Sequence, residues 1–125
     1  MPTSYRDLDV WKISLLLVTE VYKVTRTLPP DERFGLTAQM RRAAVSIPCN
    51  IAEGYGRSTR GEYLNQLSVA RGSLNEVETL CLVCGTLGML DESALTPVNE
   101  LTERMRRMLG RLRIRLAEKR SKGTR

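Results

Sequence analysis

Arginines gathered near one end of the chain are the residues whose type and spacing most clearly suggest chemistry. Residues 104–125 hold ten of the 20 basic side chains and one acidic side chain, in a chain of 125 residues and net charge +6. The guanidinium group binds phosphate oxygens in bidentate fashion and stacks on bases, which favours a polyanionic partner. At helical spacing, seven of these residues form two rows: Arg104, Arg107, Arg111 and Arg115 in the first, and Arg106, Arg113 and Arg120 in the second. Both rows are predicted to bind nucleic acid; the alternative is a solvated face that only favours the helix dipole.

The chain contains no histidine, which excludes Ser/His/Asp triads, Cys/His dyads and imidazole proton shuttles. Cys81 and Cys84 have the spacing of a zinc or redox pair, but they lie on the apolar side of a predicted helix. Neither a second such pair nor a histidine is present to complete a tetrahedral site. We therefore interpret these two residues and Cys49 as small core residues. We expect no metal, no cofactor and no enzymatic activity.

A polar row on the second predicted helix is the other constellation with chemical potential. Its members are Arg42, Ser46, Asn50 and Glu53. Such a row is either solvated or buried against groups that satisfy it, and we interpret it as a polar network with Arg71 and Glu76 or Glu78 as candidate partners. An open alternative is a metal-dependent nuclease that uses Glu53 or Glu76. The adjacent glycines of EGYGR at 53–57 lack the ending of a phosphate-binding loop and predict a turn between helices.

Four segments of helical periodicity must position these residues, and glycine and proline separate them. The first spans 8–28, ends before two prolines, and has an apolar surface too wide for one neighbour, which predicts contact with another subunit. The second spans 36–53, with a kink or division at Pro48 and a stop at Gly54.

The last two segments carry recognisable start signals. The third opens with a Thr-x-x-Glu capping box at Thr59 and runs to residue 85 or 88. The fourth begins between Asp91, a possible cap, and Pro97, a favoured first-turn residue, and ends near residue 119. Both segments have apolar seams at spacings of three and four residues, which is typical of helix bundles.

Four helices with short connections predict an all-α fold, an antiparallel up-down-up-down four-helix bundle. With 42% hydrophobic and 27% charged residues, the chain fits one domain, predicted at 1–120, followed by a basic, frayed tail at 121–125. No apolar run is long enough to span a membrane, and the N-terminus has charges where a signal peptide needs an apolar stretch. We therefore expect a cytoplasmic protein that does not meet a membrane.

Four strings of the sequence resemble a known family: YRDLDVW at 5–11, RFGLT at 33–37, RRAAVSIPCNIAEGYGR at 41–57 and ARGSLNEVE at 70–78. The chain is similar to the four-helix-bundle proteins encoded by intervening sequences of 23S ribosomal RNA genes. A more distant likeness is to the accessory protein of diversity-generating retroelements, a basic pentamer that binds nucleic acid and a reverse transcriptase. The resemblance implies a ring-shaped homopentamer without established enzymatic activity. Its motif residues here are Arg41, Arg42, Ser46, Pro48, Asn50, Glu53, Gly54, Arg71, Ser73 and Glu76.

Together these patterns predict a non-enzymatic oligomer that binds RNA or another nucleic acid through arginine–phosphate contacts, with little base readout. Repetition of a basic row around a ring would add avidity. The last helix is more arginine-rich than in many relatives, which favours RNA binding by this member. The alternative function is a scaffold whose arginine rows dock an acidic protein partner or pack between subunits.

Overall fold

The computed structural model describes the backbone of residues 3–122 and the side chains of residues 3–118. This part of the chain contains four α-helices: α1 (Asp9–Thr25), α2 (Leu36–Tyr55), α3 (Arg60–Thr86) and α4 (Glu92–Lys122). Single 3-10 turns at Tyr5–Asp7 and Pro30–Glu32 precede α1 and α2, and no strand occurs within residues 3–122. The prediction of an all-α fold with four helices is confirmed.

Each helix packs against two others: α1 contacts α2 and α4, and α3 contacts the same two helices. Contacts across α2 and α3 run in opposite directions along the two helices. Ser46 of α2 meets Ser73, whereas Glu53, two turns further along α2, meets Gln66, two turns earlier on α3. The contacts between α3 and α4 show the same reversal. The helices therefore form an antiparallel bundle in which the arginine-rich part of α4 lies at the same end as the α2–α3 turn.

Apolar rows fill the centre of this bundle. The predicted seam of α3 is buried along its length, at Leu67, Ala70, Leu74, Val77, Cys81 and Cys84. On α4, Met105 and Leu109 are almost fully buried and pack with the same core. Burying one large aliphatic side chain contributes about 2 kcal/mol, so these seams hold the helices in register. The first and second arginine rows are positioned by the core residues that lie between them.

The stop at Gly54 and the division at Pro48 are wrong for α2, and the kink at Pro48 stays a prediction. The helix does not stop at Gly54 but continues to Tyr55, and Gly54 is buried against α3. An added Cβ at Gly54 would lie 2.8 Å from Cβ of Gln66 and 3.0 Å from Cδ1 of Tyr63, so the glycine allows close helix approach. Nor does Pro48 divide α2, because the helix is continuous through it and Pro48 packs in the interior.

The sequence signals predict the first residues of the helices more accurately than the last residues. The hydroxyl of Thr59 accepts the N–H of Glu62 at 3.1 Å, which confirms Thr59 as the N-cap of α3. The Glu62 carboxylate accepts the hydroxyls of Thr59 and Ser58, at 3.0 and 3.3 Å, in place of the backbone N–H of a full capping box. The carboxylate of Asp91 accepts the N–H of Ala94 at 2.8 Å, so Asp91, not the segment before Pro97, sets the start of α4. At its far end α4 continues to Lys122, which makes the first two residues of the predicted tail helical; residues 123–125 lie outside the described residues.

α1 ends three residues earlier than predicted, at Thr25. A residue that precedes proline is disfavoured in the helical region, and Leu28 precedes Pro29. The side chain of Leu28 is nevertheless buried, in a turn that follows the helix. The apolar pattern of the sequence therefore continues to Leu28, three residues beyond the end of α1.

The cysteines divide into two environments. Cys81 and Cys84 are buried core residues, as predicted, and burial raises the pKa of Cys81 to about 12, so this thiol stays protonated. Cys49 is exposed, and its assignment to the core is wrong. Successive helical residues point about 100° apart, and because Pro48 points into the core, Cys49 points away from it.

Candidate nucleic-acid interface

The first arginine row follows the edge of α4 that borders α1. Arg104 lines a groove with Leu16 and Glu20 of α1, while Arg111 and Arg115 line a cleft beside the N-terminal turn. All three arginines are exposed, and among residues 3–118 none has a carboxylate oxygen within 4.0 Å. These side chains are the free cations of the row.

Arg107, the remaining member of the first row, has one weak partner. Its Nη1 lies 3.4 Å from the carboxylate of Glu103, one turn earlier on α4, and the side chains are 59% and 60% exposed. An ion pair between exposed side chains on one helix contributes only about 0.3–0.5 kcal/mol. Arg107 is therefore available to exchange this carboxylate for a phosphate.

Two carboxylates, Asp7 and Asp9, line the cleft of about 270 Å³ that Arg111 and Arg115 also line. Asp7 accepts hydrogen bonds from the backbone N–H and the hydroxyl of Thr3, at 3.1 and 3.2 Å. These bonds lower the pKa of Asp7. The acidic groups of this cleft thus lie near the arginines without forming ion pairs with them.

The second arginine row follows the opposite edge of α4, against α3, and its members have partners. Arg106 forms an ion pair with Glu78 and donates a hydrogen bond to Oδ1 of Asn75 at 2.9 Å. Arg113 donates to the hydroxyl of Ser68 at 3.2 Å. The Arg120 side chain lies outside the described residues. The sequence predicted both rows as equivalent phosphate contacts, but α3 places polar acceptors opposite only the second.

A groove of about 480 Å³ lies between α3 and α4, beside the second row. Its lining consists of Arg71, Arg106, Gly110, Arg113, Ile114 and Ala117. The lining residues that α4 contributes besides the arginines are small or apolar: Gly110, Ile114 and Ala117. Arg71 was expected to satisfy the polar row of α2; instead it lines the α3–α4 groove, is exposed, and has no partner among residues 3–118.

The polar row of α2 finds other partners than those expected. The hydroxyl of Ser46 donates to the carbonyl of Ala43 at 2.9 Å and is hydrogen-bonded to the hydroxyl of Ser73, and the Asn50 amide donates to the Ser46 carbonyl at 2.7 Å. The Ser46–Ser73 contact joins α2 to α3 through small polar groups. Arg42 extends into solvent and has no partner within the described part of the chain.

Glu53, the last member of the polar row, accepts hydrogen bonds from Arg57 at 2.6 Å and from Gln66 at 2.9 Å. The expected partners Glu76 and Glu78 do not contact the α2 row: Glu76 is exposed, and Glu78 pairs with Arg106. No group of three or more histidine, cysteine or acidic residues within the described residues is arranged to hold a metal ion.

Arg41 connects α1 to α2. Its guanidinium lies 4.4 Å from the ring centre of Tyr22, and its Nε donates to the hydroxyl of buried Thr25 at 2.9 Å. Cation–π stacking together with a hydrogen bond holds the side chain against α1. Arg41 therefore packs between helices and, unlike its neighbour Arg42, is not available to a ligand.

Two tyrosines pack together near the arginine-rich end. The rings of Tyr55 and Tyr63 are 6.1 Å apart and almost perpendicular. Burial raises the pKa of Tyr63 to about 12, against an opposing influence of the Arg115 charge. The Tyr63 phenol therefore stays neutral at physiological pH.

The chain is similar in sequence and in fold to known proteins. A family model described as 23S rRNA-intervening sequence protein matches residues 6–111. A solved structure from Bacteroides thetaiotaomicron, a protein of unknown function from the S23 ribosomal protein family, superposes with a TM-score of 0.73 at 21% identity. The match covers 80% of this chain and 94% of that chain, and at this identity it shows a shared fold. No curated protein sequence matches the chain.

The α3 acceptors Ser68 and Asn75 are the residues that sequence reasoning missed. Their signal is present, because Ser68, Asn75 and Glu78 recur at spacings of seven and three residues on one face of a helix. Using it would have required knowing that this face points toward α4.

Within residues 3–122, no helix has the combination of length and apolar character that crossing a bilayer requires.

Proposed function

The chain belongs to the 23S rRNA-intervening sequence protein family, and from this premise we propose that it is a non-enzymatic protein that binds RNA through the first arginine row. The carrying observation is that Arg104, Arg111 and Arg115 extend into solvent without a carboxylate partner among residues 3–118. An unpaired guanidinium loses no intramolecular ion pair when it meets a phosphate. The free cations therefore define the surface that binds a polyanion with the least rearrangement.

The geometry of the row favours contact with a phosphate backbone. From the first to the last arginine the row spans about 16 Å at 1.5 Å per residue, which is long enough to meet several phosphates. Such contacts position the nucleic acid without selecting its sequence.

Self-association would multiply these contacts. The apolar residues Leu15 and Leu16 of α1 are 40% and 52% exposed, and Leu16 lies in the same groove as Arg104. We propose that this surface joins copies of the chain, with the pentamer implied by the family resemblance as the assembly. Light scattering is expected to give a mass near five chains of 14.1 kDa, and a smaller mass for Leu16→Glu. A monomer would contradict the assembly.

A salt titration tests RNA binding. Each phosphate contact to a single strand contributes about 0.7 to the slope of log K against log salt. Replacing Arg104, Arg107, Arg111 and Arg115 by Gln should therefore reduce the slope by about 3. The probe is a fluorescent single-stranded RNA with a 5′-hydroxyl, measured between about 50 and 200 mM salt. A flat salt response of the wild type, or no binding at low salt, would contradict the proposal.

A matched control separates the row from net charge. Lys12, Arg26, Arg33 and Arg60 are exposed and lie outside α4. Changing these four residues to Gln removes the same charge, and the slope should fall by less than about 1 because the row is intact. An equal fall in both quadruple variants would mean that overall charge, and not the row, attracts the RNA.

Exposed apolar residues favour a protein scaffold as the second candidate function. Phe34, Leu82 and Leu87 are 85%, 70% and 58% exposed, and large exposed apolar side chains are typical of protein contact surfaces when they cluster. Capture of partners from lysate with and without nuclease distinguishes the two functions. A defined protein retained after nuclease treatment, but lost from the quadruple arginine variant, would favour the scaffold.

A further inference from the structure

We propose that the α3–α4 groove binds a phosphate monoester, carried by a nucleotide or by the end of a nucleic-acid strand. The phosphate would lie among Arg71, Arg106 and Arg113. This inference rests on the proposed function, because it identifies the group of the nucleic acid that the second edge of α4 recognises. It also assigns a binding role to Arg71, which is not a member of the first arginine row.

The groove is built from cations supplied by two helices. Arg71 comes from α3, and Arg106 and Arg113 come from α4, with no carboxylate in the lining. Like charges that converge on one space repel each other, so the arrangement is relieved by an anion. Antiparallel packing is what brings residue 71 level with residues 106 and 113.

Arg113 has a hydrogen-bond donor that the described residues leave unsatisfied. Its Nε is buried and has no hydrogen-bond partner among residues 3–118, although its Nη2 is held by Ser68. Buried donors in native proteins are nearly always satisfied. Arginine has five N–H donors in a fixed fork. The bond from Nη2 of Arg113 to Ser68 therefore also fixes the orientation of the other donors.

The net charge of the groove discriminates between kinds of phosphate. Glu78 neutralises Arg106 in part through their ion pair, which leaves Arg71 and Arg113 as two unbalanced positive charges. A phosphate monoester carries a charge of about −1.5 to −2 near neutral pH, whereas a phosphodiester carries a single negative charge. The groove therefore matches a monoester, and the extended first row matches a run of diesters.

The remaining lining favours a phosphate that carries an organic group. A Cβ added at Gly110 would meet nothing within 4 Å, and Ile114 beside it is 61% exposed. The small residue leaves space next to the arginines, and the isoleucine offers an apolar surface on which a sugar or base can pack. A mononucleotide should therefore bind more tightly than inorganic phosphate.

The test compares one RNA sequence in three forms, with a 5′-phosphate, with a 3′-phosphate, and with hydroxyls at both ends. A hydrogen-bonded charge pair corresponds to roughly ten-fold in affinity, and we expect this preference for at least one phosphorylated form. Arg71→Gln and Gly110→Glu should abolish the preference. Arg42→Gln, which removes an exposed and unpartnered arginine from α2, should retain it. Circular dichroism verifies that each variant is folded.

Competition by a nucleoside 5′-monophosphate, the corresponding nucleoside and inorganic phosphate distinguishes a free nucleotide from a strand end. Competition by the monophosphate alone supports a nucleotide site, and failure of all three to compete, with the RNA preference intact, supports a strand end. Equal affinity of the wild type for all three RNA forms, without binding of the monophosphate, would overturn the groove proposal. Salt-dependent binding of the hydroxyl RNA would in that case leave the proposed function standing, so the two failures are distinguishable.

Discussion

Along the edge of α4 that borders α1, Arg104, Arg111 and Arg115 extend into solvent without ion pairs among residues 3–118. Along the edge that borders α3, Arg106 is held by Glu78 and Asn75, and Arg113 is held by Ser68. Both edges carry the same side chain at similar helical spacing. The difference lies in which acceptors are within bonding distance. α3 places Glu78, Asn75 and Ser68 against the second row, whereas Glu20, Asp7 and Asp9 line the clefts beside the first row without forming ion pairs with its arginines.

This contrast separates two uses of arginine in one helix. A guanidinium that pairs with a carboxylate on the facing helix, such as Arg106, joins two helices and is partly neutralised, whereas one without a carboxylate partner retains its full charge for a ligand. The neighbour therefore decides which arginines form a binding surface. The same reasoning applies to Arg71 on α3, because the α4 residues that line the groove with it carry no acceptor side chain.

The largest expected effect comes from removing the core that holds both edges in place. Leu109 of α4 is 1% exposed, and Leu109→Ala should lower the free energy of unfolding by about 2–5 kcal/mol. Urea denaturation followed by circular dichroism measures it. Ile114→Ala, on the exposed side of the same helix, is the control and should change stability by less than about 0.5 kcal/mol. Equal losses in the two variants would contradict the assigned orientation of α4.

Two glycines should respond to the same substitution with opposite sign. Gly110→Ala places its Cβ in open space and should stabilise the protein by up to about 1 kcal/mol, because alanine is the better helix former. Gly54→Ala brings its Cβ within 3.0 Å of α3 side chains and should destabilise by about 1–3 kcal/mol through overpacking. Thermal unfolding of both variants checks the pair. A stabilising Gly54→Ala would show that α2 and α3 are less closely packed than described.

A smaller effect compares single arginines from the two edges. Arg106→Gln removes the partly exposed pair with Glu78 and should cost up to about 1 kcal/mol of stability. Arg104→Gln removes no pair within the described residues and should leave stability within about 0.5 kcal/mol of the wild type. Denaturation at low and high salt should show the Arg106 loss shrinking as salt screens the pair. An equal cost for both variants would remove the distinction between the edges.

The sequence predicts the elements of this fold well because each helix carries its own signals. These signals depend on neighbours one or two turns away in the same helix. Examples are the α3 seam, the cap at Thr59, and the assignment of Cys81 and Cys84 to the core. Gly54 was misread because glycine signals a helix stop and a close helix contact equally well. Only the position of Tyr63 and Gln66 on the next helix distinguishes these two roles.

The sequence predicted which arginines belong to the candidate site. It did not predict which of them have partners on a neighbouring helix and which do not. Spacing along α4 places Arg106 and Arg104 on opposite sides of the seam, and to that extent the rows were foreseeable. The pairing of Arg106 with Glu78 depends on the register between α3 and α4, which no pattern within one helix contains. For the same reason Arg71 was assigned to the polar row of α2, when antiparallel packing places it in the α3–α4 groove.

The smallest expected effect concerns the residue that fixes where α4 begins. Asp91 accepts hydrogen bonds from the N–H of Ala94 and the hydroxyl of Ser93, and these lower its pKa below the usual 3.8. A carboxylate whose pKa is lower in the folded state adds stability above its unfolded pKa and loses it as pH falls through the folded value. Asp91→Asn keeps a capping oxygen without a charge that titrates.

The stability difference between wild type and Asp91→Asn should therefore be constant near pH 6 and decline toward pH 3, measured by urea denaturation at each pH. Asp7 also has a lowered pKa, but it is present in both proteins and cancels in the difference. A pH-independent difference would mean that the carboxylate charge contributes nothing at the start of α4. In that case the helix start would depend on hydrogen-bond geometry alone.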